Sequence, residues 1–530
     1  MLLFISSGLF AQHTLTVSVR STENVPLNGA TAHIALLQRS AVADSAGVIF
    51  FDDLPKGKYD VEISFVGFNA QTMKVEVPQP PETPYTIGLV PSEEEEEEVI
   101  VEATRSPRPF RDIPTRVEVI SGEELAEKAN MKPGDIRMML SESTGIQTQQ
   151  TSATSYNSSI RIQGLDGRYT QILKDGFPLY AGFSGGLSLM QVVPLDLKQV
   201  EVIKGSSSTL YGGGAIAGLV NLVSKTPTTK REVSFLANGT SAGGLDLSGY
   251  YSERYGTLGM TLLASRNSTA PFDPAGIGFT AIPKSERYTL NPRLYFYGKR
   301  TTANVGVSYI GEKRIGGSMD HIKRGAAGFY EDNNTDRFTS QVSVTHRTGG
   351  NASWNFKNSY SHFSRSVNIP GYAFGGVQQS TYSELTLSLP REKTAWIFGT
   401  NLVTDAFSES KHLAITRDYQ YTTLGAFVQN TWSPSPKFSL ETGLRTDYVA
   451  EYGFEWLPRA SALWRISEQV TVRLGGGFGY KTPTIFNEES ERIQFQHVLP
   501  INAQTARNER SVGTSLDVNY RTTLGQIDVL

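Results

Sequence analysis

Cysteine is absent from the 530-residue chain. Its absence excludes disulfide frameworks and metal sites built on thiolates, and it suits an exported protein that avoids stray oxidation. Excess charge of one sign is lacking as well, since 49 Lys and Arg residues stand against 52 Asp and Glu residues, for a net charge of −3. A basic surface that could bind nucleic acid is not indicated, so we predict no nucleic-acid partner.

Long apolar runs are also missing. No run of about 18 apolar residues follows the first dozen positions, which excludes membrane-spanning helices. Membrane-spanning strands are not excluded, because their apolar residues alternate with polar ones. Met1 to Ala11 is apolar and ends in Phe10-Ala11-Gln12, which predicts a signal peptide cleaved before Gln12, although a basic n-region is missing. The alternative for this segment is an ordinary first strand.

Catalytic motifs are scarce. The seven histidines are scattered without the spacing of a metal site, and no Gly-x-Ser-x-Gly lies on a strand–turn–helix. Gly212-Gly213-Gly214 lacks the Lys and Ser or Thr of a phosphate loop, and we interpret it as close backbone packing. The sequence therefore predicts a protein that is not an enzyme, with no catalytic residues, no cofactor and no metal ligands.

Residues 12–90 have the pattern of a small all-β unit. Leu15, Val17 and Val19 alternate with other residues, and turn signals such as Pro26 to Ala30 recur about every 8–12 residues. This spacing predicts a β-sandwich. The sequence resembles the carboxypeptidase-regulatory-like domain, and that resemblance implies an accessory role rather than a catalytic one.

Ser159 to Lys225 is a compact Gly-rich stretch of short β-prone runs. Ile160 to Gly164 and Val200 to Gly205 each end on glycine, and Asp175-Gly176 is a hairpin signal between apolar runs. The order and spacing of these runs closely resemble the plug domain of TonB-dependent outer-membrane receptors. The resemblance implies a plug and a β-barrel that together import a scarce nutrient.

The segment ahead of the plug combines an acidic linker with a β-prone strip. Glu93 to Glu98 are six consecutive glutamates, which repel one another and favour a disordered linker. The strip Val99-Ile100-Val101-Glu102-Ala103-Thr104 follows in a tail that we also expect to be disordered, where it can add to the edge of another protein's sheet. It resembles the TonB box, which implies a TonB-type inner-membrane energiser as partner.

Two helices are predicted near the start of the plug. Val117 to Ile120 reads as the first strand, and Ser121 to Glu124 fits a capping box at the start of a helix. The second helix follows Pro133 and places Ile136, Met139 and Leu140 on its core face.

Two further plug features concern polar residues. Gln147 to Ser158 is too poor in apolar residues to be buried, so we expect it at a surface, where the resemblance implies a loop facing the ligand. Glu201 and Arg161 are expected on neighbouring strands. We interpret them as structural charges that pair with each other or with the barrel wall.

Beyond Lys225, segments of about ten residues alternate in polarity, as membrane-spanning strands do. In Tyr288 to Phe296 and in Phe438 to Tyr448, one face is mostly apolar and the other is polar or charged. Trp456 and Trp464 bracket an apolar face, as aromatic girdles bracket the apolar band of a barrel.

Connection lengths indicate which side each turn lies on. Tight connections alternate with longer polar stretches, predicted at 265–287, 311–336, 363–379, 405–419 and 481–508. Short turns on one side and long loops on the other are typical of outer-membrane barrels. The count reaches about fifteen strands by Leu530, whereas plugged transporters have about 22, so we expect a C-terminally truncated barrel.

Candidate ligand contacts lie at the apices of the plug, and they are Tyr156, Asn157, Tyr180, Phe183 and Ser184. Aromatic residues there can stack on the face of a chelate or macrocycle, and packing within the loops is the alternative. Tyr480 to Pro483 matches the haem-receptor Phe-Arg-Ala-Pro signature only in the proline and a basic residue, and His497 reads as a solvated loop residue. Haem is therefore not favoured.

These expectations combine into a mainly β architecture with an N-terminal β-sandwich, a small α+β plug and an incomplete antiparallel transmembrane β-barrel. The predicted domains are a signal peptide (1–11), a carboxypeptidase-regulatory-like β-sandwich (12–90), an acidic linker with the TonB box (91–115), a plug (116–227) and a partial outer-membrane barrel (228–530). The resemblance implies a monomeric barrel in the lipid of a Gram-negative outer membrane, with the plug and N-terminal domain on the periplasmic side. It implies TonB-dependent import of a metal chelate such as a ferric siderophore. Cobalamin, haem, an oligosaccharide, or a surface receptor or adhesin without transport are the alternatives.

Overall fold

The computed structural model describes residues 13–529 except 23, 38, 66–67, 79–84, 91–99, 106–107, 110–111, 153, 155, 180–181, 206–207, 411–415, 503 and 525–526. The chain divides into two compact units, before and after the boundary between Val99 and Ile100. In the described part of the chain, none of the helices has the length and apolar character needed to cross a membrane. The predicted signal peptide (1–11) and the acidic run Glu93 to Glu98 lie outside the described residues.

The first unit is a β-sandwich. Its strands are β1 (His13–Ser21), β2 (Thr31–Ile34), β3 (Arg39–Val42), β4 (Val48–Leu54), β5 (Gly57–Phe65), β6 (Phe68–Val77) and β7 (Tyr85–Leu89). They form one sheet in the order β4-β1-β7 and a second in the order β3-β2-β5-β6. The alternating residues Leu15, Val17 and Val19 are fully buried in a single apolar core, as the sequence pattern predicted.

The second unit begins with a small α+β region, the plug. Its elements are β8 (Ile100–Val101), β9 (Arg108–Pro109), β10 (Val117–Ser121), α1 (Gly122–Met131), α2 (Arg137–Ser141), β11 (Ile146–Gln150), β12 (Ser158–Ile162), β13 (Thr170–Lys174), β14 (Phe177–Pro178), β15 (Leu197–Lys204), α3 (Ser208–Tyr211) and β16 (Gly218–Ser224). The main sheet has the order β10-β15-β16-β13-β14. Asp175 and Gly176 form the predicted hairpin turn with φ of 55° and 74°.

Fourteen consecutive antiparallel strands follow in one large sheet. They are β17 (Glu232–Gly239), β18 (Leu245–Tyr255), β19 (Leu258–Thr269), β20 (Lys284–Tyr297), β21 (Thr301–Gly317), β22 (Tyr330–Arg347), β23 (Ser353–Ile369), β24 (Tyr372–Pro390), β25 (Thr394–Glu409), β26 (Tyr419–Ser435), β27 (Phe438–Val449), β28 (Gly453–Arg465), β29 (Val470–Lys481) and β30 (Glu509–Tyr520). Two helices, α4 (Met319–Arg324) and α5 (Glu488–Arg492), lie in connections, and β31 (Thr522–Leu524) pairs with β32 (Ile527–Val529).

The large sheet has one apolar face and one polar face. Along β20, Leu290 and Leu294 are exposed, while Asn291 and Arg293 between them are buried. The polar face covers the plug. Strands from β20 to β29 contact the plug. One such contact is the hydrogen bond that Asn291 of β20 donates to Asp196 of the plug (2.9 Å). The predicted alternation is therefore confirmed, and the sheet curves around the plug.

The connections fall into two sets, one on each rim of the sheet. The short-turn rim carries 256–257, 298–300, 348–352, 391–393, 436–437 and 466–469. The long-loop rim carries 240–244, 270–283, 318–329, 370–371, 410–418, 450–452 and 482–508. The predicted segregation of tight turns on one side is thus confirmed, although three connections on the long-loop rim are also short.

Expectations about one loop, the cap of α1 and the polar run before β12 were wrong. The predicted loop 363–379 is two strands joined at 370–371, because backbone pairing continues up to the turn, as between Val367 and Phe374. Ser121 caps α1 without a side-chain hydrogen bond, since it remains paired with Gln199 in the sheet. Within the polar run Gln147 to Ser158, Asn157 and Ser158 are buried, because Arg314 of β21 donates to Asn157 and Arg137 of α2 donates to Ser158.

Candidate functional site

Residues 100–105, here called the box segment, dock on the plug through their backbone. The carboxylate of Glu201 in β15 accepts hydrogen bonds from the amides of Glu102 (2.7 Å) and Ala103 (2.8 Å). Gln199 donates to the carbonyl of Ile100 (2.9 Å), and the hydroxyl of Tyr211 donates to the carbonyl of Ala103 (2.6 Å). Four hydrogen bonds with plug side chains therefore bind the main chain of this segment.

Side chains of the box segment add apolar and ionic contacts. Val101 and Ala103 are buried in a small cluster with plug residues. Arg105 forms an ion pair with Glu384 of β24, donates to the carbonyl of Leu210 (3.1 Å), and lies over the ring of Tyr211 at 4.6 Å. The box segment is consequently fastened to both the plug and the large sheet.

Two carboxylates in this site have raised pKa values. Burial raises the pKa of Glu201, while the amides of Glu102 and Ala103 and the side chains of Asn221 and Gln199 oppose the rise. The Glu102 side chain keeps solvent contact. The protein around it nevertheless desolvates its carboxyl, and together with the charges of Glu201 and Asp175 this raises its pKa to about 7. Docking thus favours the protonated form of Glu102.

The docked state corrects the expectation that this strip is a disordered tail. Val101 is fully buried and Ala103 is 1% exposed, while Val99 lies outside the described residues. Glu201 does not pair with Arg161, which instead pairs with Glu488 (2.5 Å). The sequence showed that Glu201 is a charged residue in an apolar strand. It did not show that the partner of Glu201 is the main-chain amide of Glu102, 99 positions earlier in the chain.

At the opposite end of the plug, Phe183 is the centre of an aromatic cluster. We call it the apex cluster, and its other members are Phe363, Phe374, Phe407, Phe486 and Phe495. The ring of Phe183 lies 5.0 Å from those of Phe407 and Phe486 and is 1% exposed. Of the predicted apex residues, Phe183 therefore joins the plug to the sheet wall.

The other predicted ligand contacts have different surroundings. Ser184 is buried, and its amide donates to Gln378 (3.1 Å). Asn157 is fully buried between Glu491 (2.6 Å) and Arg314 (3.1 Å), and the Tyr156 ring stacks on Arg137 at 4.8 Å. Tyr180 lies outside the described residues.

The connection 482–508 folds back onto the plug through two carboxylates that sequence reasoning missed. Glu488 accepts hydrogen bonds from the Ser159 hydroxyl (2.5 Å) and from Arg161 (2.5 Å). Glu491 binds Asn157 of the plug and Arg365 of β23, which is almost completely buried. This connection therefore joins the plug apex to the wall, and nothing in its polar sequence distinguishes it from a solvated loop.

A cavity of about 370 Å³ lies between the plug apex and the wall. Phe183 and Ser184 line it, but Tyr156 and Asn157 are not among its lining residues in the described part of the chain. Tyr480 to Pro483 also lines it, and Gly213 packs so closely on Tyr480 that a Cβ there would lie 2.5 Å from the ring. The three glycines 212–214 thus allow close packing, here against the wall.

Comparison with known proteins agrees with this architecture. The "TonB-dependent Receptor Plug Domain" matches residues 109–219, and "TonB dependent receptor-like, beta-barrel" matches residues 269–528. The chain belongs to the TonB-dependent receptors. The N-terminal unit matches the "CarboxypepD_reg-like domain" over residues 16–101, as its turn spacing and sequence suggested.

Two curated TonB-dependent receptor relatives define the degree of similarity. The vitamin B12 transporter BtuB of Vibrio vulnificus is 31% identical over 136 residues, 26% of this chain and 21% of the transporter. The iron-regulated outer membrane virulence protein of Vibrio cholerae is 22% identical over 414 residues, 74% of this chain. This chain covers 60% of the length of the Vibrio cholerae protein.

Solved structures share the fold. The siderophore receptor PirA from Acinetobacter baumannii superposes with a TM-score of 0.63 at 16% identity, covering 78% of this chain and 69% of PirA. A mutant of the ferric enterobactin receptor PfeA from Pseudomonas aeruginosa gives 0.62 at 15% identity, covering 81% and 71%. TonB-dependent receptors are outer-membrane transport proteins and not enzymes, and this chain has their plug and barrel-type sheet.

Proposed function

We propose that this receptor actively imports a ferric siderophore across the outer membrane of a Gram-negative bacterium. A ligand binds on the long-loop rim, which faces the cell exterior, and the plug responds by releasing the box segment into the periplasm. The inner-membrane energiser of the TonB type then pairs with residues 99–104 as an added strand and pulls on the plug. Differential affinity of the energiser for the released state makes transport ligand-dependent.

The observation that carries this proposal is the docking of the box segment. Its backbone is held by the side chains of Glu201, Gln199 and Tyr211, and its Arg105 side chain forms one ion pair with Glu384. Few contacts of this kind have to break together to expose a strand for a partner. A purely adhesive surface protein needs no such releasable strand beneath its plug.

The choice of ligand rests on similarity. One solved structure with this fold is named a siderophore receptor and another a ferric enterobactin receptor, and the Vibrio cholerae relative is named as iron-regulated. Cobalamin is the second candidate, because the relative with the higher sequence identity is a vitamin B12 transporter.

Further assignments complete the proposal. Tyr156, Asn157, Tyr180, Phe183 and Ser184 remain the proposed ligand-facing residues of the plug apices, with Phe183 and Ser184 favoured because they line the cavity. The N-terminal β-sandwich is a periplasmic accessory domain, and the barrel acts as a monomer in lipid. The domain limits proposed from the sequence are 12–90, 91–115, 116–227 and 228–530.

Uptake of radiolabelled iron and cobalt tests the proposal. The receptor is expressed in cells that lack their own siderophore and cobalamin receptors, and ferric siderophores and cobalamin are supplied separately. Deletion of Val99 to Thr104 is expected to abolish uptake while surface binding of the ligand persists. Deletion of Glu93 to Glu98, which removes the same number of adjacent residues, is the control and should keep uptake. Accumulation that survives loss of the box residues would point to adhesion or passive binding.

A further inference from the structure

The cavity between plug and wall has the dimensions of a small-molecule site. Its volume of about 370 Å³ is close to the lower end of the range of about 300–1,000 Å³ for ligand pockets. Its lining combines plug residues such as Gly182 and Gly214 with hydroxyl and aromatic side chains of the wall. A ligand inside it would therefore contact both parts of the receptor.

One cation in this cavity makes no direct ion pair, since the carboxylates that act on it, Asp405, Glu509 and Asp166, lie beyond ion-pair distance. Lys481, the last residue of β29, lines the cavity, and in the described part of the chain it makes no ion pair or hydrogen bond. By contrast, Arg168, which also lines the cavity, pairs with Glu509 (3.1 Å). Lys481 therefore presents an available ammonium group, and plug Gly214 lies so near that its Cβ would be 3.8 Å from Nζ.

One carboxylate of the cavity, that of Asp405, has only neutral hydrogen-bond partners, although the charge of Lys481 acts on it from a longer distance. Asp405 accepts hydrogen bonds from Gln378 (2.7 Å), Ser380 (2.8 Å) and Tyr419 (3.1 Å). A carboxylate has about four acceptor positions, so about one remains. That single position suits one hydroxyl donor, whereas an ammonium group with three donors would stay undersatisfied. Gly182 covers this group, since a Cβ there would lie 3.5 Å from Oδ2.

A second cation, Arg445, is paired with a carboxylate but keeps an N–H donor that has no acceptor. Arg445 is 2% exposed and lines the cavity, and it pairs with Asp447 (2.7 Å) and donates through Nη2 to Asn401 (2.9 Å). Its Nη1 has no hydrogen-bond partner. A buried donor without a partner is costly unless a ligand or water accepts from it.

We propose that this cavity is an internal binding site for a compact hydroxycarboxylate, whose carboxylate pairs with Lys481 and whose hydroxyl donates to Asp405. This inference rests on the proposed import function and narrows its ligand to a hydroxy acid or an iron chelate of one. Gly182 and Gly214 of the plug lie against these two groups, so a ligand bound in the cavity contacts the plug directly.

Calorimetry on the purified receptor in detergent tests this site with two matched probes. Citrate and tricarballylate carry the same three carboxylates, but only citrate has the hydroxyl. The wild type is expected to bind citrate saturably and tricarballylate about tenfold more weakly. Lys481→Met should weaken both by about tenfold or more, and Asp405→Asn should remove the preference for citrate. Lys284→Met, at an exposed strand end, is the control and should bind as the wild type does.

Either of two results would overturn the inference. One is the absence of saturable citrate binding by the wild type, and the other is an affinity for citrate that Lys481→Met leaves unchanged. A parallel titration with ferric citrate distinguishes a chelate from the free acid. Binding needs no energiser. The absence of citrate binding together with intact siderophore uptake would therefore reject the proposed binding site but not the import function. Citrate binding with uptake that is independent of residues 99–104 rejects only the import function.

Discussion

Glu201 holds Ala103 by its main chain, with the amide nitrogen 2.8 Å from Oε2. The same carboxylate oxygen accepts from the side chain of Asn221 (2.9 Å), and the other oxygen accepts from Glu102 and from Gln199. All four donors converge on one side chain that is itself fully buried. Replacing it changes the docking of the box segment without altering that segment's sequence.

Glu201→Gln is expected to release the box segment. The amide NH₂ group of glutamine would face donors that now meet an oxygen, and a hydrogen bond to a charged group contributes about 1.5–3 kcal/mol, so amide exchange at 100–105 should accelerate about tenfold or more. Hydrogen exchange with mass spectrometry measures this. Glu123→Gln, at an exposed position of α1, is the control. Unchanged protection of 100–105 in Glu201→Gln would show that Glu201 does not hold the segment.

Docking of the box segment should weaken as pH rises. The pKa of Glu102 is about 7 in the docked state and about 4.5 when the carboxyl is unperturbed, so docking takes up a proton between these values. Docking is therefore strongest below about pH 4.5, declines through pH 7 and is level above it. Exchange at 100–105 followed from pH 5 to 8, after correction for intrinsic rates, measures the trend. Glu102→Gln should flatten the contribution of this group, and identical profiles for the two proteins would contradict the assignment.

Breaking the Arg365 ion pair should free the connection 482–508. Arg365→Met leaves Glu491 buried and without its cation, a loss of about 3 kcal/mol or more. Limited proteolysis within 482–508 should then accelerate about a hundredfold if cleavage follows the open population. Arg324→Met on the exposed helix α4 should leave cleavage unchanged. Equal cleavage rates in the Arg365 variant and the wild type would mean that other contacts fix this connection.

Gly213→Ala should destabilise the plug against the wall. Its Cβ would lie 2.5 Å from the Tyr480 ring, and overpacking of this kind costs about 1–3 kcal/mol. Gly185→Ala is a matched control in the same plug, because its Cβ would meet nothing within 4 Å. Chemical denaturation in detergent compares the two. Adding Tyr480→Leu should relieve the strain of Gly213→Ala, and purely additive effects would refute the clash.

The sequence predicted the strands well and the polar contacts poorly. Alternation in Tyr288 to Phe296 follows from a wall with one apolar and one polar face, and that signal is local. Burial of Asn157 was not predictable, because it depends on Glu491 and Arg314, which are distant in sequence and meet it only in the fold. The role of Glu201 was missed for the same reason, since its partners are main-chain amides that carry no sequence signal.

Backbone recognition has an evolutionary consequence for residues 100–103. Glu201, Gln199 and Tyr211 bind amides and carbonyls, which are the same in every amino acid except proline. The docked state therefore places little constraint on which side chains occur there, apart from the small buried sites of Val101 and Ala103. Substitutions that suit a particular energiser can then accumulate while docking of the box segment is preserved. Receptors with one docking geometry can therefore diverge in the partner they recruit.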